Sequence, residues 1–251
     1  MITVVKLGGR VQSNPQLAEA IGTMWENATD GLCIVHGGGD EISTLQRALG
    51  KEPQFVNGRR ITSADDIDLV RMVLSGGANK RLVASLTARG IPAAGISGED
   101  ASLLSAEPLD GFGKSGRPVS ADPSLIKVLL RNGFLPVISP VASDSTSPGE
   151  TLNVNGDDAA AVIAAALGAE LLMVADVPGV KDAKGNVVPE LIPAKVEAMV
   201  NDGTVNSGMR AKLEAGFDAL ARGAAAVRIT GLDALGAKTS GTQLSLKPGV
   251  R

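Results

Sequence analysis

The sequence predicts an α/β fold: a largely parallel sheet with helices on both faces. Short runs rich in Val, Ile and Leu recur at Ile2–Leu7, Leu32–Val35, Ala93–Ile96, Leu135–Ile138, Leu171–Ala175 and Ala225–Ile229. Each has the length and composition of a strand covered on both sides. Between most of them lie Ala- and Leu-rich stretches with apolar residues three or four apart, such as Met209, Leu213, Phe217 and Leu220. That is the period of one helical face, and its alternation with strands is the signature of a parallel sheet. Glycine clusters close the first two runs, at the carboxyl ends of strands, where such sheets collect ligands.

Taken in order, the first run ends as "VKLGGR", with Lys6 just before Gly8 and Gly9, and the second as "CIVHGGGDEI", with Gly37, Gly38 and Gly39 opening a helix. Backbone N–H groups left bare by glycine at a helix mouth form an anion site, and phosphate is the first suspect. "QFVNGRRIT" reads as a hairpin turning at Asn57-Gly58, and "DGFGKSGRPV" as an exposed loop or ribbon. "NVNGDDAA" sets Asn153, Asn155 and Asp157 at a loop-to-helix junction, where an aspartate serves either as a helix-start carboxylate or as a functional group. The helix "DDAAAVIAAALGAE" then leads to a lobe boundary around Leu167–Glu170. One domain over 1–251 is expected, with an N-terminal lobe of about 1–169 and a C-terminal lobe of about 170–251. "VKDAKGNVV" predicts a second hairpin around Lys184-Gly185-Asn186, and "NSGMRAK" places Lys212 near another helix start.

Composition narrows the function. The 251 residues are 44% apolar and 20% charged, enough for a sizeable core. A net charge of −3, four Phe, one Trp and no Tyr leave neither a basic footprint nor stacking surface for nucleic acid. "MITVVKLGG" enters a strand at once, with no secretory leader and no run of membrane length, so a cytoplasmic protein is expected. The single cysteine, Cys33, lies inside "GLCIVH" and reads as a buried structural thiol.

Two motifs suggest other chemistries and fail on inventory. "HGGG" at 36–39 matches an esterase oxyanion loop, but "GISGE" lacks the last glycine of a nucleophile elbow and His36 is the sole histidine, so it reads as structural. "PLDGFGKS" approaches a phosphate-binding loop, but Pro108 stands where the first glycine belongs, and Lys114 reads as a surface residue. No Cys or carboxylate set has metal-ligand spacing, so no protein-held metal is expected and any Mg²⁺ would arrive with nucleotide. What fits is phosphoryl transfer with charge neutralised by lysines and backbone amides.

In order and approximate spacing, "VVKLGG", "IVHGGG", "VNGRRIT", "GGANKRLV", "LNVNGDDAAA", "VADVPGV" and "SGMRAKLEA" resemble the amino-acid kinase family. They look most like its branch that phosphorylates N-acetyl-L-glutamate. The resemblance runs from Met1 to a last strand around Leu244–Leu246 and implies a three-layer αβα sandwich. The N-terminal lobe would hold the acyl substrate and the dimer contact, and the C-terminal lobe ATP with its Mg²⁺. It further implies that Lys6 and Lys212 stabilise the transferring phosphoryl group, that Asp157 orients them, and that Gly9, Gly37 and Gly38 face phosphate and substrate. Arg60 and Asn153 would hold the substrate's α-carboxylate and acetamido end. Asp176, Val177, Pro178, Gly179, Val180 and Lys181, with Thr204, Val205 and Asn206, would contact the nucleotide.

The implied reaction is attack of the γ-carboxylate on the γ-phosphorus of MgATP, a step of arginine biosynthesis. It needs no general base, because a carboxylate is ionised at pH 7. Two alternatives share these residues. One is a kinase for aminoadipate or glutamate masked by an acidic carrier protein, which would use Arg10, Lys51, Arg59 and Arg60 as a basic face. The other is a non-catalytic nucleotide-binding subunit. Arg10 departs from the family pattern, which is commonly small or apolar after "KLGG". Arginine-inhibited hexamers of the family carry a helix before the first strand, so a chain entering that strand at Ile2 is expected to be an arginine-insensitive homodimer, joined through Asp65–Arg89.

Overall fold

The computed structural model describes residues 1–56, 58–235 and 240–247. The chain enters on β1 (Thr3–Leu7), passes through α1 (Leu17–Asn27) to β2 (Leu32–His36), and turns directly into α2 (Gly39–Ala48). A hairpin, β3 (Gln54–Val56) and β4 (Arg59–Ile61), precedes a helical run of α3 (Ile67–Arg71), a π-helical stretch Met72–Ala78 and α4 (Asn79–Thr87). Then come β5 (Ala93–Ser97), β6 (Leu104–Pro108), β7 (Ser115–Ala121), α5 (Ser124–Arg131), β8 (Leu135–Ser139), β9 (Val141–Asp144) and β10 (Thr151–Val154). The remainder is α6 (Gly156–Leu167), β11 (Glu170–Ala175), β12 (Glu190–Leu191), α7 (Pro193–Asn201), α8 (Ser207–Arg222), β13 (Ala226–Gly231) and β14 (Thr242–Leu244).

Among the described residues the main sheet has eight strands in the order β12-β14-β13-β11-β1-β2-β8-β5. From β13 to β5 every neighbour is parallel, and these are the apolar runs predicted from the sequence. β14 reverses, pairing antiparallel to β13 slightly before the expected Leu244–Leu246, and β12 at the edge runs parallel to β14, so both oppose the rest of the sheet. Strand alternation divides the core in two. Val4, Cys33, Val35, Leu171 and Met173 face α6 and α8, while Val5, Leu7, Ile34, Leu172 and Val174 face α1 and α4. The result is a three-layer αβα sandwich on a mainly parallel sheet. Strands after Glu170 lie on one side of β1 and β2, β8 and β5 on the other.

Alanines let α6 lie close on the sheet: Ala159, Ala160, Ala161 and Ala164 are fully buried. Gly216 does the same for α8, since a Cβ there would sit 2.5 Å from Leu244 Cδ1. Strands β10, β7, β6 and β9 form a small closed barrel beside the main sheet. "DGFGKSGRPV" is therefore the ribbon joining β6 to β7, and its base is interior rather than exposed, with Ser115 and Gly116 buried. In the β3–β4 hairpin Val56 pairs with Arg59 and Gly58 takes φ +77°, while the Asn57 half of the predicted turn lies outside the described residues. "VKDAKGNVV" forms a turn stapled by Asp182, whose Oδ1 accepts the N–H of Lys184 and Asn186, with a lone Lys181–Val187 bridge. Its predicted strands do not extend because Pro178 and Pro189 flank it without an N–H to give. No helix among the described residues is long and apolar enough to cross a membrane.

Candidate active site

Lys6 is two residues beyond Val4, so its side chain leaves β1 on the face that α6 covers. Helix α6 starts where Asn155 caps it, Oδ1 accepting the N–H of Asp157 at 2.8 Å and of Asp158 at 3.4 Å. This cap sets Asp157 in the first turn, above the carboxyl end of β1. Helix α8, capped by Asn206 through a 2.9 Å bond from the Met209 N–H, packs on α6 and delivers Lys212. The Asp157 Oδ1 atom then lies 2.7 Å from Lys6 Nζ and 2.8 Å from Lys212 Nζ. All three side chains are 12% exposed or less.

Two ammonium groups sharing one carboxylate leave a buried net positive charge. Burial favours the neutral acid of Asp157, but the charges of Lys6 and Lys212 outweigh it and hold the carboxyl well below the usual range. Burial, reinforced by the charge of Lys6, pushes the Lys212 ammonium below the ordinary lysine value despite Asp157. Such a cluster attracts a further anion.

The glycine turns border it. The N–H of Gly8 and of Gly37 prolong the ladder, donating to Val174 O at 3.2 Å and Leu7 O at 3.1 Å. The N–H groups of Gly9 and Gly38 make no hydrogen bond to the described residues. A Cβ on Gly38 would meet Leu74 Cδ2 at 2.6 Å, so the turn packs there without a side chain. Gly9, Gly37 and Gly38, with Lys6, Arg60, Asn153 and Asp157, line one cavity. Gly8, Gly9, Arg10, Asp176 and Lys212 line a second that shares Gly9 and Gly39 with the first. Lys6 faces the first cavity and Lys212 the second, with Asp157 between them.

Arg60 is buried, its guanidinium 4.6 Å from the Phe55 ring centroid, donating to Gly39 O at 2.7 Å, Ser43 Oγ at 2.8 Å and Gln46 Oε1. Asn153 donates to Thr62 Oγ1 at 2.9 Å. Sequence reasoning passed over Arg59 and Asp158 as a pair: Arg59 lines the first cavity and donates to Asp158, whose carboxyl burial pushes upward. The doubled residues in "NGRRIT" and "NGDDAA" were its available signal.

The remaining expected residues are less gathered. Asp176 lines the second cavity, but Val177, Pro178, Gly179, Val180, Lys181, Thr204, Val205 and Asn206 line neither. Val180 and Val205 are buried in the core, the Val180 N–H donating to Thr242 Oγ1 at 2.8 Å, and Asn206 is spent on its cap. His36 is fully buried, Lys114 pairs with Glu150 at 2.6 Å, and burial pushes the Cys33 thiol up to about 12.

A mainly parallel αβα sheet carries, at the end of a central strand and between two glycine turns, a buried Lys–Asp–Lys cluster of net positive charge. The chain belongs to the amino acid kinase family, whose family model matches residues 1–231. It is 43% identical over 227 residues to the acetylglutamate kinase of a Jannaschia species, covering 88% of this chain and 79% of that one. To the acetylglutamate kinase of Chloroflexus aurantiacus it is 40% identical over 239 residues, 93% of each chain. A solved structure from Streptococcus mutans UA159 superposes with a TM-score of 0.85 at 26% identity, covering 98% of this chain and 99% of that one.

Proposed function

We propose that this chain is an ATP-dependent kinase of N-acetyl-L-glutamate that forms N-acetyl-L-glutamyl 5-phosphate in arginine biosynthesis, with the cytoplasm as its compartment. The observation that carries the reading is the division of the cluster: Lys6 on the cavity bounded by Arg60 and Asn153, Lys212 on the cavity bounded by Gly8 and Asp176. Relatives about 40% identical over most of the chain support the substrate.

In this reading Arg60 takes the α-carboxylate, with a guanidinium already aligned by Gly39, Ser43 and Gln46. Asn153 meets the acetamido group. The γ-carboxylate oxygen forms a bond to the γ-phosphorus as the bond to the ADP oxygen breaks. Lys6 neutralises the attacking side, Lys212 the leaving side, and the N–H groups of Gly9 and Gly38 receive the phosphoryl oxygens. Asp157 holds the two ammonium groups apart and in place. Mg²⁺ enters as part of the nucleotide; among the described residues no group of three or more His, Cys, Asp or Glu is gathered for a metal. The nucleotide body lies in the C-terminal lobe, 170–251, near Asp176–Lys181 and Thr204–Asn206, and the acyl substrate in the N-terminal lobe.

A carrier-protein substrate is disfavoured by charge pairing. Lys51 binds Asp66 at 2.6 Å, Arg10 meets Asp176 at 3.4 Å and Arg59 pairs with Asp158, so the basic face such a partner needs is neutralised. The proposed assembly is a homodimer through the stretch Asp65–Arg89, where Met72 is 62% exposed; sedimentation as a monomer would refute it. The reaction is tested by hydroxylamine trapping of acyl phosphate with MgATP and N-acetylglutamate, glutamate, aspartate or N-acetylaminoadipate. Strong signal with N-acetylglutamate alone is expected. Silence across the panel with ATP still bound would return the weight to a carrier-linked acid or a non-catalytic subunit.

A further inference from the structure

The direction of the Gly38 N–H is set one atom earlier, because the Gly37–Gly38 peptide is trans and planar and its N–H opposes the Gly37 carbonyl. That carbonyl is held twice. His36 Nδ1 lies 2.8 Å from Gly37 O, and Gln12 Nε2 donates to the same oxygen at 3.0 Å. The imidazole is held in turn: Asn79 Nδ2 lies 3.1 Å from His36 Nε2 and 2.9 Å from Val137 O.

The tautomer follows from this chain of bonds. A carbonyl only accepts, so Nδ1 carries the hydrogen, and Nε2 is left as the acceptor for Asn79. The reverse amide orientation would set Asn79 Oδ1 against Val137 O. In the orientation present, that oxygen is instead the one buried side-chain polar atom without a partner among the described residues. A protonated Nε2 would face the Asn79 N–H, and burial independently lowers the His36 pKa. The ring stays neutral.

We propose that His36 and Gln12 are positioning residues: by clamping the Gly37 carbonyl they aim the Gly38 N–H into the cavity, at the anionic group being transferred, with Asn79 fixing the imidazole tautomer that makes the clamp. Neither side chain touches the reacting atoms. Gln12 comes from the turn after Gly9, so the clamp also ties the two glycine turns into one rigid cradle. This role rests on the kinase reading above.

The test uses Gln12→Met, His36→Gln and His36→Asn. An asparagine amide takes the place of Nδ1 and keeps the donor; a glutamine amide takes the place of Nε2 and loses it. Expected are a fall in kcat of about tenfold for Gln12→Met, with KM values and urea midpoint unchanged, and a larger fall for His36→Gln than for His36→Asn. Wild-type kcat in Gln12→Met and His36→Gln, or losses that only follow the urea midpoint, would overturn the role. If the wild type forms no acyl phosphate from any acid, the kinase reading fails by itself. The Gly38 amide resonance then decides: movement with Mg-AMP-PNP that is lost in His36→Gln upholds the aimed N–H, and a resonance unmoved in wild type overturns it.

Discussion

Replacing Asp157 by Asn removes the charge between Lys6 and Lys212 while keeping the shape of the side chain. Each ion pair, at 2.7 and 2.8 Å, has a gross attraction of about 6 kcal/mol at an effective dielectric constant near 20. Most of that offsets the desolvation of three buried groups. What the substitution exposes is the reverse situation, two buried ammonium groups no more than about 5.5 Å apart, repelling by about 3 kcal/mol at the same dielectric. Removing one partner of a buried pair costs roughly 3–5 kcal/mol, and the two routes agree on a loss of about 3 kcal/mol. For a chain of this size that lowers the urea midpoint by roughly 1 M. The assay is urea unfolding at pH 7 with and without MgATP. Because the nucleotide's phosphates supply the missing negative charge, MgATP is expected to recover more stability in the variant than in the wild type. A variant that unfolds at the wild-type midpoint would refute the account of Asp157 as the counter-charge of both lysines.

The lowered pKa of Lys212 means that its proton leaves at a pH below the ordinary lysine value near 10.4. The kcat/KM profile, which reports the free enzyme, should therefore fall on the alkaline side below that value, and in Lys212→Arg, which keeps its charge, the limb should move upward; an unmoved limb assigns it to another group. The depressed Asp157 pKa acts oppositely: its stabilisation is fully present above the ordinary carboxylate value near 3.9 and is lost only as pH falls through the lower folded one, so Asp157→Asn should flatten the acid unfolding curve there. Arg60→Lys loses the fork that engages Gly39, Ser43 and Gln46, so KM for the acyl substrate should rise about tenfold or more with KM for MgATP unchanged. Asn206→Ala should cost about 1 kcal/mol as a lost cap, while Asn206→Asp keeps the cap. A raised KM for MgATP in the aspartate variant would reveal a nucleotide contact beyond the cap. Cys33, with its thiol pushed up to about 12, should resist alkylation at pH 8 until the chain unfolds.

The parallel strands were legible because each is covered on both faces and reads as an unbroken apolar run; β2 and β8 are buried at every residue. Lys6 was legible as a charge at a strand end beside glycines. The partnership of Asp157 and Lys212 was not, because those residues stand 55 apart and meet only where α6 and α8 pack; the family pattern supplied it. Nor does local sequence say which residue of "NVNGDD" caps the helix: Asn155 takes the cap and frees Asp157 for the lysines. Val180 and Val205, which the family resemblance sets at the nucleotide, have side chains that complete the core, a burial their loop positions do not announce. The β6–β7 ribbon was obscured because its burial comes from a barrel closed by distant strands.

The central claim is that the buried lysine at the end of β1 acts on the transition state. The measurement that tests it most directly is kcat and KM for Lys6→Ala in the hydroxylamine assay. A fall in kcat of about a hundredfold or more with KM changed only a few-fold is expected, since the charge is needed most as the phosphoryl group transfers. Normal kcat with a raised KM would show that Lys6 merely binds substrate, and would contradict the account.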